Sequence, residues 1–136
     1  MHHEVTIICD DIRQETGRKL SLMGIYDDAV VVKQVPVRLA KVCLFQRWPE
    51  ANLRPGERVR VEIAGDAISQ QVSVYCETDK AHFNPASTKA QLMIALAPFD
   101  IIRAGGIEFR TYLSGSDEPA HRHKIEIRCD PDLAAS

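Results

Sequence analysis

Apolar and polar residues alternate with a period of two along most of this chain, which predicts strands rather than helices. Val5 to Tyr26, VTIICDDIRQETGRKLSLMGIY, reads as two apolar segments folded back on each other through Thr16-Gly17-Arg18. This is a long β-hairpin, with Gly17 able to take a positive φ at little steric cost. In its second arm Leu20 and Leu22 share a face and Ile25 falls on the other, which places a bulge at Gly24. Asp27-Asp28 turns the chain into a short strand, Ala29 to Val32, which Pro36 ends because proline cannot donate to a ladder. Leu39 to Trp48 is apolar on both parities, as expected of a strand in the middle of a sheet and covered on both faces.

PEANLRPGER, with two prolines and a glycine, is a loop from which Leu53 can tuck back onto the core. Glu57 to Ala64 alternates cleanly, with Val59, Val61 and Ile63 inward. Gly65-Asp66 turns it into Ser69 to Cys76, with Val72, Val74 and Cys76 inward and Tyr75 outward, so the two form a second hairpin. A polar stretch broken at Asn84-Pro85 follows. Lys89 to Leu96 has helix-forming residues, but its alternation and the following Pro98 favour a strand. Phe99, Ile101 and Ile102 lead to a turn at Gly105-Gly106, then a strand from Ile107 to Leu113 and an exposed loop, Ser114 to His121. The last strand, Lys124 to Cys129, points Ile125, Ile127 and Cys129 inward. Eight or nine short strands with turns between them predict an all-β fold, an antiparallel β-sandwich, with a partly closed β-barrel as the alternative.

The totals add limits. The 136 residues fit one domain, 1–136. Hydrophobic residues make up 45% and charged residues 26%, the profile of an ordered soluble protein. A net charge of -2 gives no electrostatic reason to expect nucleic acid or an anionic membrane as partner. No apolar run is long enough for a spanning helix, and MHHEVTIICDD carries acids where a secretion signal needs basic and then apolar residues. The expected location is the cytoplasm, where Cys9, Cys43, Cys76 and Cys129 behave as small hydrophobes.

Cys9-Asp10-Asp11, Gly17, Lys19-Leu20-Ser21-Leu22, Gly24-Ile25-Tyr26 and the following Pro36 resemble a family of small bacterial proteins known as a domain of unknown function. Gly106-x-x-Phe109 and the Ser116-Asp117 loop are a weaker echo of the same family. The resemblance implies a β-rich domain in a bacterial cell and brings no catalytic residue.

The chemistry-bearing residues have bland readings that outweigh the sharp ones. Asp10, Asp11, Asp27 and Asp28 meet if the hairpin arms are long, but without DxDxDG spacing they read as solvated strand-end acids rather than a Ca²⁺ site. His121 and His123, with Cys129 or with His2 and His3, suggest zinc; they are expected to face apart in an extended segment, and no CxxC pair supports them. A cysteine nucleophile needs a base beside an accessible thiol, whereas each cysteine sits in an apolar segment. GxSxG, GxxxxGK[ST], GxGxxG and HExxH do not occur. Arg47, Trp48 and Tyr75 are the candidate contact surface, because exposed arginines and aromatics dominate binding hot spots; the plainer account has Trp48 capping the core and Tyr75 covering a neighbouring strand. The expected function is a non-enzymatic module that binds a protein partner or associates with itself as a homodimer, with no cofactor, metal, nucleic acid or membrane. The alternative is a module binding a sugar, metal or metabolite through loops 49–57, 77–89 and 114–123, in a pocket lined by Trp48, His82 or Phe83.

Overall fold

In a computed structural model of the chain, which describes residues 5–17, 19–49, 58–77 and 89–133, the two-residue period becomes eleven strands and no helix among the described residues. In chain order they are β1 (Val5–Glu15), β2 (Lys19–Tyr26), β3 (Ala29–Val32), β4 (Val37–Leu39), β5 (Val42–Pro49), β6 (Arg58–Ala64), β7 (Val72–Glu77), β8 (Lys89–Leu96), β9 (Phe99–Ile101), β10 (Gly105–Tyr112) and β11 (His121–Cys129). They form a four-stranded sheet, β2-β1-β5-β8, a five-stranded sheet, β3-β11-β10-β6-β7, and a two-stranded ribbon of β4 and β9. None closes into a barrel, and the fold is an all-β sandwich. No helix of the described residues is long and apolar enough to cross a membrane.

The core lies where one parity of each sheet meets the other. Ile8, Leu44, Trp48, Leu92 and Ile94 of the four-stranded sheet pack with Val30, Val59, Val61, Ile63, Ile107, Phe109, Ile125 and Ile127 of the five-stranded one. Each such side chain removed from water contributes about 1.5–3 kcal/mol of hydrophobic stabilisation. β5 lies between β1 and β8 and is buried on both parities, as its uninterrupted apolar run requires.

The first hairpin pairs Glu15 with Lys19 across Gly17, whose φ is 83°. Its register stays constant from Glu15↔Lys19 to Ile8↔Tyr26, so no residue is inserted at Gly24 and the expected bulge is absent. Gly24 serves a different need. It holds a φ of 66° opposite Asp10, and a Cβ there would lie 2.2 Å from the Asp10 carboxylate.

Other expectations also change. β3 runs parallel to β11, so the sandwich is not wholly antiparallel, and β4 with β9 forms a ribbon that the strand pattern did not separate. Gly65-Asp66 does not turn directly into the next strand: β7 starts at Val72, and the segment between carries Ala67 and Ile68 into the core. Gly105-Gly106 opens β10 instead of turning the chain. The glycine that the crossing requires is Gly65, where a Cβ would sit 2.1 Å from the Gly106 carbonyl oxygen, whereas one on Gly106 would meet nothing within 4 Å. Val72 keeps its inward parity but is 40% exposed, since β7 is the outermost strand of its sheet. Cys129, expected inward, is exposed near the end of β11, where its thiol donates to the Lys33 carbonyl at 3.5 Å.

Candidate functional site

The sandwich separates the three residues expected to share a contact surface. Trp48 is 0% exposed and points into the core, so it belongs to no surface. Arg47 is on the opposite parity of β5, with its guanidinium carbon 5.5 Å from the Phe45 ring centre. Tyr75 is 57% exposed on the outward face of the other sheet. Of the pocket expected for a small ligand, Trp48 is internal, while His82 and Phe83, with residues 50–57 and 78–88, lie outside the described residues, as do Leu53 and the Asn84-Pro85 break.

Tyr75 has other company, which the register explains. β6 and β7 pair Arg60 with Tyr75 and Arg58 with Glu77, and β10 pairs Tyr112 with Arg60, so five side chains of outward parity, one of them the Glu77 carboxylate, converge at one end of three adjacent strands. The Arg58 guanidinium carbon lies 5.0 Å from the Tyr75 ring centre, and that of Arg60 lies 4.1 Å from the Tyr112 ring centre. Both are cation–π distances. These groups border a cleft of about 220 Å³ whose other walls are Val59, Leu113 and the turn through Ser114, Gly115 and Ser116. The turn is held in place: the Ser114 hydroxyl donates to the Arg58 carbonyl at 2.7 Å, and the Ser116 amide donates to the Leu113 carbonyl.

Away from the cleft, the same face is a lattice of ion pairs. The Glu108 carboxylate accepts from Arg110 at 2.6 Å and from Arg122 at 3.1 Å, with Lys124 at 3.7 Å. Burial pushes the Glu108 carboxyl up, but the Arg110 hydrogen bond and the charges of Arg122 and Lys124 outweigh it and hold the group below its ordinary value. Glu62 meets Arg60 at 3.3 Å, Arg110 at 3.7 Å and the Gln71 amide at 3.0 Å. A groove of about 480 Å³ beside Gly105 and Gly106 is lined by Asp28, Glu108, Lys124 and Glu126.

The described acids and histidines form no metal centre, and His2 and His3 lie outside the described residues. Asp10 accepts from the Tyr26 hydroxyl, while Asp11 accepts from Lys41 at 2.8 Å and Arg13 at 3.3 Å, two bonds that keep its carboxyl below the usual range. His121 and His123 share a face rather than facing apart, because residues two apart in a strand point the same way, and their rings stack 6.4 Å centre to centre. Among the described residues no group of His, Cys, Asp and Glu is placed to hold a metal ion. Burial pushes the thiols of Cys9 and Cys43 up and that of Cys76 to about 11, the reverse of what a nucleophile needs.

Sequence reasoning found Tyr75 by its outward parity but missed Arg58, Arg60 and Tyr112. Their alternation was visible; their convergence needs the β6–β10 pairing, which no local pattern encodes. The model of a family of unknown function matches residues 4–130, in agreement with the resemblance to a domain of unknown function. No curated protein and no solved structure matches the chain.

Proposed function

Because the chain belongs to the DUF6941 family, whose function is not known, we propose its role from geometry: a non-enzymatic β-sandwich that binds another protein through Arg58, Arg60 and Tyr75, with Tyr112 buried at 8% exposure as the ring on which Arg60 rests. Self-association into a homodimer is the simplest form of that role. The observation that carries it is the pair of cation–π stacks on one outward face. Tyrosine and arginine supply large contact area and hydrogen bonds at hot spots, and stacking holds the guanidinium groups before a partner arrives, which lowers the ordering cost of binding. The small-ligand alternative has less support: the cleft of about 220 Å³ is smaller than the roughly 300–1,000 Å³ typical of ligand pockets, and the groove of about 480 Å³, which falls in that range, is lined by β10, β11 and Asp28 and by none of the loops 49–57, 77–89 and 114–123. The reading takes residues 1–136 as one domain of a bacterial cytoplasmic protein that uses no cofactor, nucleic acid or membrane. The near balance of charge gives no electrostatic reason for nucleic acid or an anionic membrane as partner.

The test compares wild type with a Tyr75→Ser/Arg58→Ala variant, both exposed positions whose change leaves the core intact. Light scattering over a concentration series is run beside affinity capture from the host. The expected result is a dimer, or one defined partner, that wild type forms and the variant loses. A strict monomer with identical capture by both proteins refutes the reading.

A further inference from the structure

We infer that this face recognises an acidic segment of the partner protein, with a carboxylate seated on Arg58 and Arg60 at the mouth of the Tyr75–Tyr112 cleft. The inference rests on the protein-binding reading above and specifies its chemistry. The outward positions of β6, β7, β10 and β11 hold six basic residues (Arg58, Arg60, Arg110, Arg122, Lys124, Arg128) against four acidic ones (Glu62, Glu77, Glu108, Glu126). That is a positive face on a chain whose net charge is -2. Complementary potential steers and orients association more than it adds raw affinity, so such a face selects an acidic partner.

The uncompensated charge is concentrated at the cleft. Glu108 takes up Arg110, Arg122 and Lys124, and Glu126 takes Arg128 at 3.3 Å. At the other end Arg60 shares Glu62 with Arg110, and among the described residues no carboxylate lies within ion-pair distance of Arg58. Glu77 is the cross-strand neighbour of Arg58, yet the guanidinium lies over the Tyr75 ring instead. A stacked guanidinium keeps its planar edge of donors for a two-point contact with a carboxylate. The hydroxyls of Ser114 and Ser116 are already spent on the carbonyls of Arg58 and Glu118, so no cradle of donors surrounds a small free oxyanion. Nucleic acid fits less well, because four carboxylates interrupt the basic positions and its phosphates need a continuous basic track.

The experiment titrates the full chain with a short polyglutamate peptide, a polylysine peptide of equal length, inorganic phosphate and single-stranded DNA, by calorimetry at low and at physiological salt. The inference expects polyglutamate alone to bind, more weakly as salt rises. Arg58→Ala should weaken it by about tenfold, the loss of one charge-assisted hydrogen-bonded contact. Lys124→Ala, at the paired end of the face, should leave it within about twofold. The inference is overturned by equal binding of polyglutamate and polylysine, by phosphate alone binding as tightly, by tighter binding of DNA, or by no binding at low salt. If polyglutamate fails while Tyr75→Ser/Arg58→Ala still abolishes the partner contact, the surface stands and its acidic specificity falls. If both fail, both proposals fall.

Discussion

Gln46→Leu tests how the two sheets are held in place, because Gln46 is a polar residue at 0% exposure in the middle of the core. Its Oε1 accepts from the Thr111 hydroxyl of the opposite sheet at 3.0 Å and from the Trp48 indole N–H at 3.3 Å, while its Nε2 donates to Thr6 at 3.3 Å. Leucine has nearly the same volume, so the change opens little cavity and the cost is polar. A buried hydroxyl left without its acceptor costs about 1–3 kcal/mol, and the lost indole bond about 1 kcal/mol more. The sum, roughly 2–4 kcal/mol, is a large part of the 5–15 kcal/mol that holds a typical domain folded. With a urea m-value of about 2 kcal/mol/M, the midpoint falls by about 1–2 M. Trp48 is the single tryptophan in the chain, so its fluorescence reports the transition without a label. Adding Thr111→Val removes the stranded hydroxyl, and the double variant should recover about 0.5–3 kcal/mol relative to the sum of the singles. Two outcomes refute the reasoning: a loss below about 0.5 kcal/mol for Gln46→Leu, or strict additivity with Thr111→Val.

Two further perturbations probe the frame around the candidate site. Gly65→Ala drives a Cβ to within 2.1 Å of a backbone oxygen that no rotamer change can move, at a φ of 151°; it should cost more than about 2 kcal/mol in chemical denaturation, and a neutral result would contradict the close crossing of residues 65 and 106. Glu108→Gln addresses pH. The native state holds this carboxyl below its ordinary value, so its stabilisation is complete above the unfolded-state value and is lost as pH falls towards the lowered native one. Melting temperatures across that acidic range should fall less steeply for the variant than for wild type, and parallel curves would show that Glu108 is not a source of the acid sensitivity.

The period-two pattern determined the class of fold and most inward faces by itself, because a strand that buries one side must alternate, and Val59, Val61, Ile63, Ile125 and Ile127 obey that rule. It also marked β5 as interior, since only a strand covered on both faces can afford apolar residues at both parities. Gln46 was hidden for the same reason: inside a strand buried on both sides, periodicity cannot tell a polar residue that points into the core from one that points out. Which strands become neighbours was decided only in three dimensions. The parallel contact of β3 with β11 joins segments nearly a hundred residues apart, and the meeting of Arg58, Arg60, Tyr75 and Tyr112 depends on β6 lying between β7 and β10. Alternation records which side of a strand meets water, a property of each segment alone. Adjacency is set by the joint burial of all segments at once, so the candidate surface came into being only when the sheets were assembled.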